Sequence, residues 1–160
     1  MSNTAGRSPA DKERYMGLDV GTRTVGVAVS DPLGLTAQPR TVLRRQSLQV
    51  DVQTLCDMAR RDEITGFVVG LPRRTSGEEG KEAAFVRRFA SALNAESGIP
   101  IYFVDERYTT AMAQNTLIAA GVRRARRRNV VDKMAAVFIL QTFLAQRRKG
   151  MYNKSESPRE

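Results

Sequence analysis

"YMGLDVGTRTVGVAVSD", residues Tyr15 to Asp31, holds two apolar, β-rich runs, 15–20 and 24–30, separated by Gly21-Thr22-Arg23. Such spacing predicts two strands joined by a tight hairpin. Side chains alternate along a strand, so Met16, Leu18 and Val20 share one side while Gly17, Asp19 and Gly21 share the other. Asp19 therefore stands between two residues without side chains, where other groups can approach the backbone closely. A carboxylate in a strand otherwise suited to burial has two explanations. It bonds the amides of the turn that follows, as Asp commonly does, or it is reserved for chemistry; the strand alone leaves both open.

Working outward, a third strand is expected over about 35–43, then a helix over 47–62 and a short buried strand at 64–69, "ITGFVV". "GLPRRTSGEEG" (70–80) reads as a loop, followed by a helix near 79–96 and a strand closing at about residue 105. Two more helices are expected, from Thr109 to Ala120 and from about 130 to 148. The order β-β-β-α-β-α-β-α-α implies an α/β fold. Its mixed five-stranded sheet has the first three strands antiparallel and helices on both faces. Residues 1–13 and 150–160 are expected to be disordered, leaving one domain over 14–149. Ligands of such sheets gather at the carboxyl ends of the strands.

Composition narrows the chemistry. Of 160 residues 41% are hydrophobic, enough for one core, and 26 Lys and Arg against 17 Asp and Glu give a formal charge of +9. That excess favours a polyanionic partner, nucleic acid first. There is no His and only one Cys. A Ser-His-Asp or Cys-His arrangement and a His- or Cys-rich zinc site are thereby excluded. Cys56 sits among Val52, Leu55 and Met58 at helical spacing and reads as a core residue. The N-terminal stretch lacks an apolar segment and no run reaches membrane-spanning length, so a cytoplasmic protein is expected.

Two further places offer acids. In "IYFVDERYTT", Asp105 and Glu106 end a strand and point to opposite faces if it persists that far, so only one readily joins Asp19. Either could instead cap the helix that follows. In "NVVDKMAAVFILQTFL", Asp132 lies three and four residues before Ala135 and Ala136, on the face of the apolar stripe those residues begin. Favourable interaction with the helix dipole accounts for an acid there but not for its inward face. Carboxylates converging without His or Cys suit a hard cation, Mg²⁺ or Mn²⁺. Two such ions about 4 Å apart hydrolyse phosphodiesters without a histidine.

"GLDVGTRTVGVAVSD", "VVGLPRRTSGEEG", "VDERYTT" and "VVDKMAAVFILQTFL", in that order and spanning nearly all of 15–148, together resemble the YqgF (RuvX) family. That family is a branch of the RNase H-like superfamily related to RuvC-type Holliday junction resolvases. The resemblance implies an RNase H-like fold with Asp19, Glu106 and Asp132 as metal-binding catalytic acids, Asp19 bridging two cations and the others holding one each. It also implies a hydrolase that matures the 5′ end of pre-16S rRNA, with ribosomal precursor particles as partners. Junction resolution in recombination and repair is the alternative. RuvC-type resolvases carry a fourth acid one helical turn from the last, where this chain has Asn129. An amide is a poorer ligand, which weakens the second metal site and lends weight to a third reading, an RNA-binding assembly protein that does not cut.

"VRRARRRN" places Arg123, Arg124, Arg126, Arg127 and Arg128 immediately before the last helix, where they could hold phosphates. Arg73 and Arg74 lie on the 70–80 loop, which lacks the Lys of a P-loop. Arg107 either orients Glu106 or meets the nucleic acid, structured RNA or branched DNA. Tyr102 and Tyr108 could stack on a base, although with 6% aromatic residues packing is the expected role of both. The pairs Arg60/Arg61, Arg87/Arg88 and Arg147/Arg148 read as exposed helix faces. "DVGT" before a hairpin also resembles the first phosphate-binding turn of sugar-kinase and actin-like ATPases. Those need two lobes, and 160 residues supply one. Monomer and homodimer both remain open, although symmetric cutting of a junction requires a pair.

Overall fold

The computed structural model describes residues 13–109, 118–121 and 123–150, with the side chains of 124, 125 and 127–133 outside the description. Five strands, β1 (Tyr15–Val20), β2 (Thr24–Ser30), β3 (Ala37–Arg44), β4 (Gly66–Leu71) and β5 (Ile101–Asp105), form one sheet. Three helices accompany it, α1 (Leu48–Arg61), α2 (Lys81–Ser97) and α3 (Arg124–Arg148). The strand order is β3-β2-β1-β4-β5. β1 pairs antiparallel with β2 and parallel with β4, and β4 runs parallel to β5. This is the mixed sheet expected from the order of elements.

The alternation in β1 governs both layers. Met16, Leu18 and Val20 join a core with Val52, Leu55 and Met58 of α1 and Val86, Phe89 and Leu93 of α2. On the other face Val68, Tyr102 and Val104 pack with Ile139, Leu140 and Phe143 of α3. Tyr102 is indeed a packing residue, its ring 5.1 Å from that of Phe143. α3 lies against β1 with no room to spare, since a Cβ on Gly17 would come within 2.8 Å of both the Ala136 carbonyl oxygen and the Leu140 Cβ. Glycine at this position is what permits the approach.

Three polar arrangements anchor the frame. Ser47 caps α1 by accepting from the Val50 amide, as an N-terminal Ser should. Buried Asp51 accepts from Arg45 Nε at 2.6 Å, and Arg45 in turn donates to the Gly21 carbonyl at 2.9 Å, securing the turn just after Asp19. At the opposite end of β1, Glu13 receives hydrogen bonds from the Tyr15 hydroxyl and from Arg147. Burial, reinforced by the Glu13 bond, holds the Tyr15 hydroxyl far above the usual range of a phenol. Arg147 is thus a partly buried tie between the end of α3 and the start of the sheet, correcting its reading as an exposed helix face.

Two helix starts also differ from expectation. Residues 106–109 are already helical, ahead of the expected start at Thr109, and Thr109 is buried. Asp105 makes this possible by accepting from the Arg107 amide at 3.0 Å. α3 begins at Arg124 rather than near 130, so the arginine run forms its first turns instead of preceding it. Arg123 takes the cap position in extended conformation. β3 spans Ala37–Arg44, close to the expected 35–43. Of the extension expected over 1–13 all but Glu13, of the tail expected over 150–160 all but Gly150, and most of the helix expected over 109–120 fall outside the described residues. Among the described residues no helix is long and apolar enough to cross a membrane.

Candidate active site at the carboxyl ends of β1, β4 and β5

Glycines leave the space in which the acids stand. Asp19 faces α3, and its partner across the hairpin is Gly26. A Cβ on Gly26 would lie 3.6 Å from both the Asp19 Cβ and the Ala136 Cβ. On the neighbouring strand a Cβ on Gly70 would come within 2.9 Å of Glu106 Oε1 and 3.1 Å of its Cγ. The Glu106 carboxyl therefore lies directly over the β4 backbone. The β1–β4 register that sets Leu18 beside Val69 runs on toward Asp19 and Gly70. Asp19 and Glu106 thus occupy the same face of the sheet at the carboxyl ends of adjacent parallel strands.

The electrostatics agree. Glu106 is pushed up to about 7, first by burial and then by the negative charges of Asp19 and Asp105. Two carboxylates within each other's field, one of them taken largely out of water, make a place where a divalent cation would be favoured. The donor set is all oxygen and fits Mg²⁺ or Mn²⁺. Asp132 is carried by α3 one turn before Ala136, which shares the space over Gly26 with Asp19, but its side chain lies outside the described residues, as does that of Asn129. Among the described residues no group of three acids gathers.

Asp105, the other acid of the pair, turns elsewhere. Arg107 Nε donates to both of its oxygens at 3.1 Å and Nη2 to Oδ2 at 2.6 Å. Arg73 Nε lies 3.9 Å away. These guanidinium groups, Arg107 foremost, hold the Asp105 carboxyl below the usual carboxylate range. Arg107 also donates from Nη1 to the Thr75 carbonyl at 3.3 Å, tying the 72–80 loop to the end of β5. Arg107 is accordingly bound to Asp105 and the loop. Arg73 continues to Glu79 at 3.8 Å, and Glu79 accepts two hydrogen bonds from Arg87, which lies over the Phe103 ring.

Of the basic residues expected to meet phosphate, Arg73 and Arg107 flank the acids through Asp105. Arg74 packs against the loop glycine Gly80. Arg123 and Arg126 are exposed at the start of α3. The side chains of Arg124, Arg127 and Arg128 lie outside the described residues. Tyr108 is exposed beside Arg107, whose guanidinium sits 6.0 Å from its ring centre.

The sequence did not single out Gly26 or Gly70, and it left Asp105 and Glu106 as alternatives. Gly26 was within reach, because a turn centred between Thr22 and Arg23 pairs residue 19 with residue 26. The pairing of Asp105 with Arg107 had no such signal, because adjacent acids and an arginine leave open which acid the guanidinium takes.

A family model described as "RuvX: Holliday junction resolvase" matches residues 13–146. A relative in Moorella thermoacetica, named as a candidate pre-16S rRNA nuclease, is 51% identical over 131 residues, covering 82% of this chain and 94% of that one. One in Myxococcus xanthus with the same name is 50% identical over 131 residues, covering 82% and 87%. Among solved structures, T. thermophilus RuvC in complex with a Holliday junction substrate superposes with a TM-score of 0.59 at 16% identity, covering 87% of this chain and 97% of that one. The fold is therefore that of the RNase H-like RuvC resolvases.

Proposed function

The chain belongs to the RuvX family, and from that premise we propose that it is a metal-dependent nuclease that hydrolyses phosphodiester bonds in pre-16S rRNA, at its 5′ end. The single observation that carries the catalytic reading is the placement of Asp19 and Glu106 over Gly26 and Gly70 on one face of the sheet. Asp19 and Glu106 would hold Mg²⁺ or Mn²⁺, with Asp132 as third ligand on the strength of its helical spacing to Ala136. A cation bound there supplies neutralisation of phosphate charge and a more acidic water.

The chain's own residues do the rest. The glycines at 26 and 70 leave the room in which the two acids lie against the sheet beneath Ala136 and Ile139. Arg73, Arg74, Arg107, Arg123 and Arg126 contribute cations for phosphates on either side, with Arg124, Arg127 and Arg128 extending the basic run. Such contacts are sequence-independent and weaken steeply with salt. Junction cleavage is the second reading, favoured by the description of the family model and by the RuvC fold.

The deciding experiment offers the protein equal amounts of precursor 16S rRNA, unstructured single-stranded RNA and a four-way DNA junction, with Mg²⁺ or Mn²⁺. Preferential trimming of the precursor is expected. Preferential cutting of the junction would replace the first reading by the second, and binding of the precursor without any cleavage would reduce the chain to an assembly protein. A further expectation concerns Gly70→Ala, whose methyl would land on the Glu106 carboxyl. Cleavage should fall roughly 10²-fold, the scale of a misplacement of about 1 Å. The unfolding midpoint in urea should move only slightly, since the far end of Ile139 can yield.

A further inference from the structure

Arg107 follows Glu106 directly in the chain, which puts a cation within a side chain's length of the Glu106 carboxyl. An internal partner needs no association step and would compete with a dissolved ion at any concentration. Side chains at adjacent helical positions diverge, yet the long stem of an arginine spans that angle. What holds the guanidinium away is visible. Nε and Nη2 are spent on Asp105 and Nη1 on the Thr75 carbonyl, while Asp105 also attracts Arg73. Asp105 is only 14% exposed and its charge is felt by Glu106, so the guanidinium stops one carboxylate short of the pocket.

We propose that Asp105 is a positioning residue: it keeps Arg107 off Glu106, leaving Asp19 and Glu106 to a divalent cation, and turns the guanidinium toward the 72–80 loop. The inference rests on the reading of Asp19 and Glu106 as that cation's ligands. It explains why two acids stand side by side at the end of β5. One is for the cation, and the other is for the chain's own arginine. A residue that merely capped the helix would need only the hydrogen bond to the Arg107 amide.

Asp105→Asn separates these roles, because Asn caps a helix as well as Asp but binds a guanidinium weakly. Mn²⁺ binding to the otherwise metal-free protein, followed by titration calorimetry, should weaken by roughly tenfold or more, the range of ligand-supporting partners. Part of any such loss is the missing negative charge itself, so Arg107→Gln is added alone and in combination. If Asp105 restrains Arg107, removing the arginine improves Mn²⁺ affinity at least fivefold more in the Asp105→Asn background than in the wild type. Equal effects in both backgrounds would overturn the proposal.

Arg107→Lys tests the same point without touching Asp105. It keeps the charge but cannot hold both Asp105 oxygens and the Thr75 carbonyl, so several-fold weaker Mn²⁺ binding than wild type is expected, and equal binding would also overturn it. Should Asp19→Asn leave Mn²⁺ affinity unchanged, the site assignment itself fails, a result distinguishable from either of these.

Discussion

Glu106→Gln should cost cleavage on the order of 10³-fold while making the metal-free protein more stable at alkaline pH. The two effects share one cause. Glu106 is pushed up to about 7, from an ordinary value of 4.5, by burial and by the charge of Asp19. Its folded value is raised, so the unfolded chain releases the proton first. Stability attributable to this group is intact below about pH 4.5 and is lost as pH climbs through about 7. Above that the wild type holds an ionised carboxylate in a place that resists it. Glutamine removes that charge at nearly the same shape. In chelator at pH 8 the gain should approach about 2 kcal/mol in urea unfolding and vanish by pH 4 to 5. Adding Mg²⁺ should stabilise the wild type and not the variant. A gain independent of pH would contradict the account. Such a trade of stability for function is what a site that stores charge repulsion entails.

The second large effect is at the first acid. Asp19→Asn should reduce the cleavage rate by roughly 10³-fold or more, corresponding to about 4 kcal/mol of lost electrostatic stabilisation at the phosphodiester. Asparagine is nearly isosteric, and the position pairs across the hairpin with Gly26, so the strand pairing is kept. Binding of the RNA should survive, because the arginines supply it. Gel-shift affinity within about threefold of wild type, alongside lost cleavage, is the expected pair of results. Loss of both would mean that Asp19 supports the fold rather than the reaction, through the hairpin turn that Arg45 secures from below.

Much of this was legible in the sequence because apolar periodicity carries fold information. β1 and β2 fall where alternation places them, and β1 sends its two faces to two different cores. The parts not legible follow from signals periodicity lacks. The first turn of α3 is a run of arginines with no apolar stripe, so the sequence marks the helix only from about residue 130. β3 is an edge strand, mostly exposed, with Pro39 in its middle, so little burial pattern marked its limits. The choice between Asp105 and Glu106 depended on where the strand gives way to helix. Strand alternation separates the two residues but does not say which faces Asp19. Only their placement, with Glu106 over Gly70 and Asp105 turned to Arg107, settles which lies near Asp19.

The contact of Gly17 with Ala136 and Leu140 has a bearing on ion size. The strand bearing Asp19 and the helix bearing Asp132 meet at the Gly17 backbone, where the Ala136 carbonyl oxygen and the Leu140 Cβ leave no side chain that could be trimmed to give room. Calcium, larger and content with seven or eight oxygens, would ask those two elements to spread, and this seam offers no slack for that. Discrimination against it would then be a property of the scaffold, inherited by any carboxylate set placed upon it.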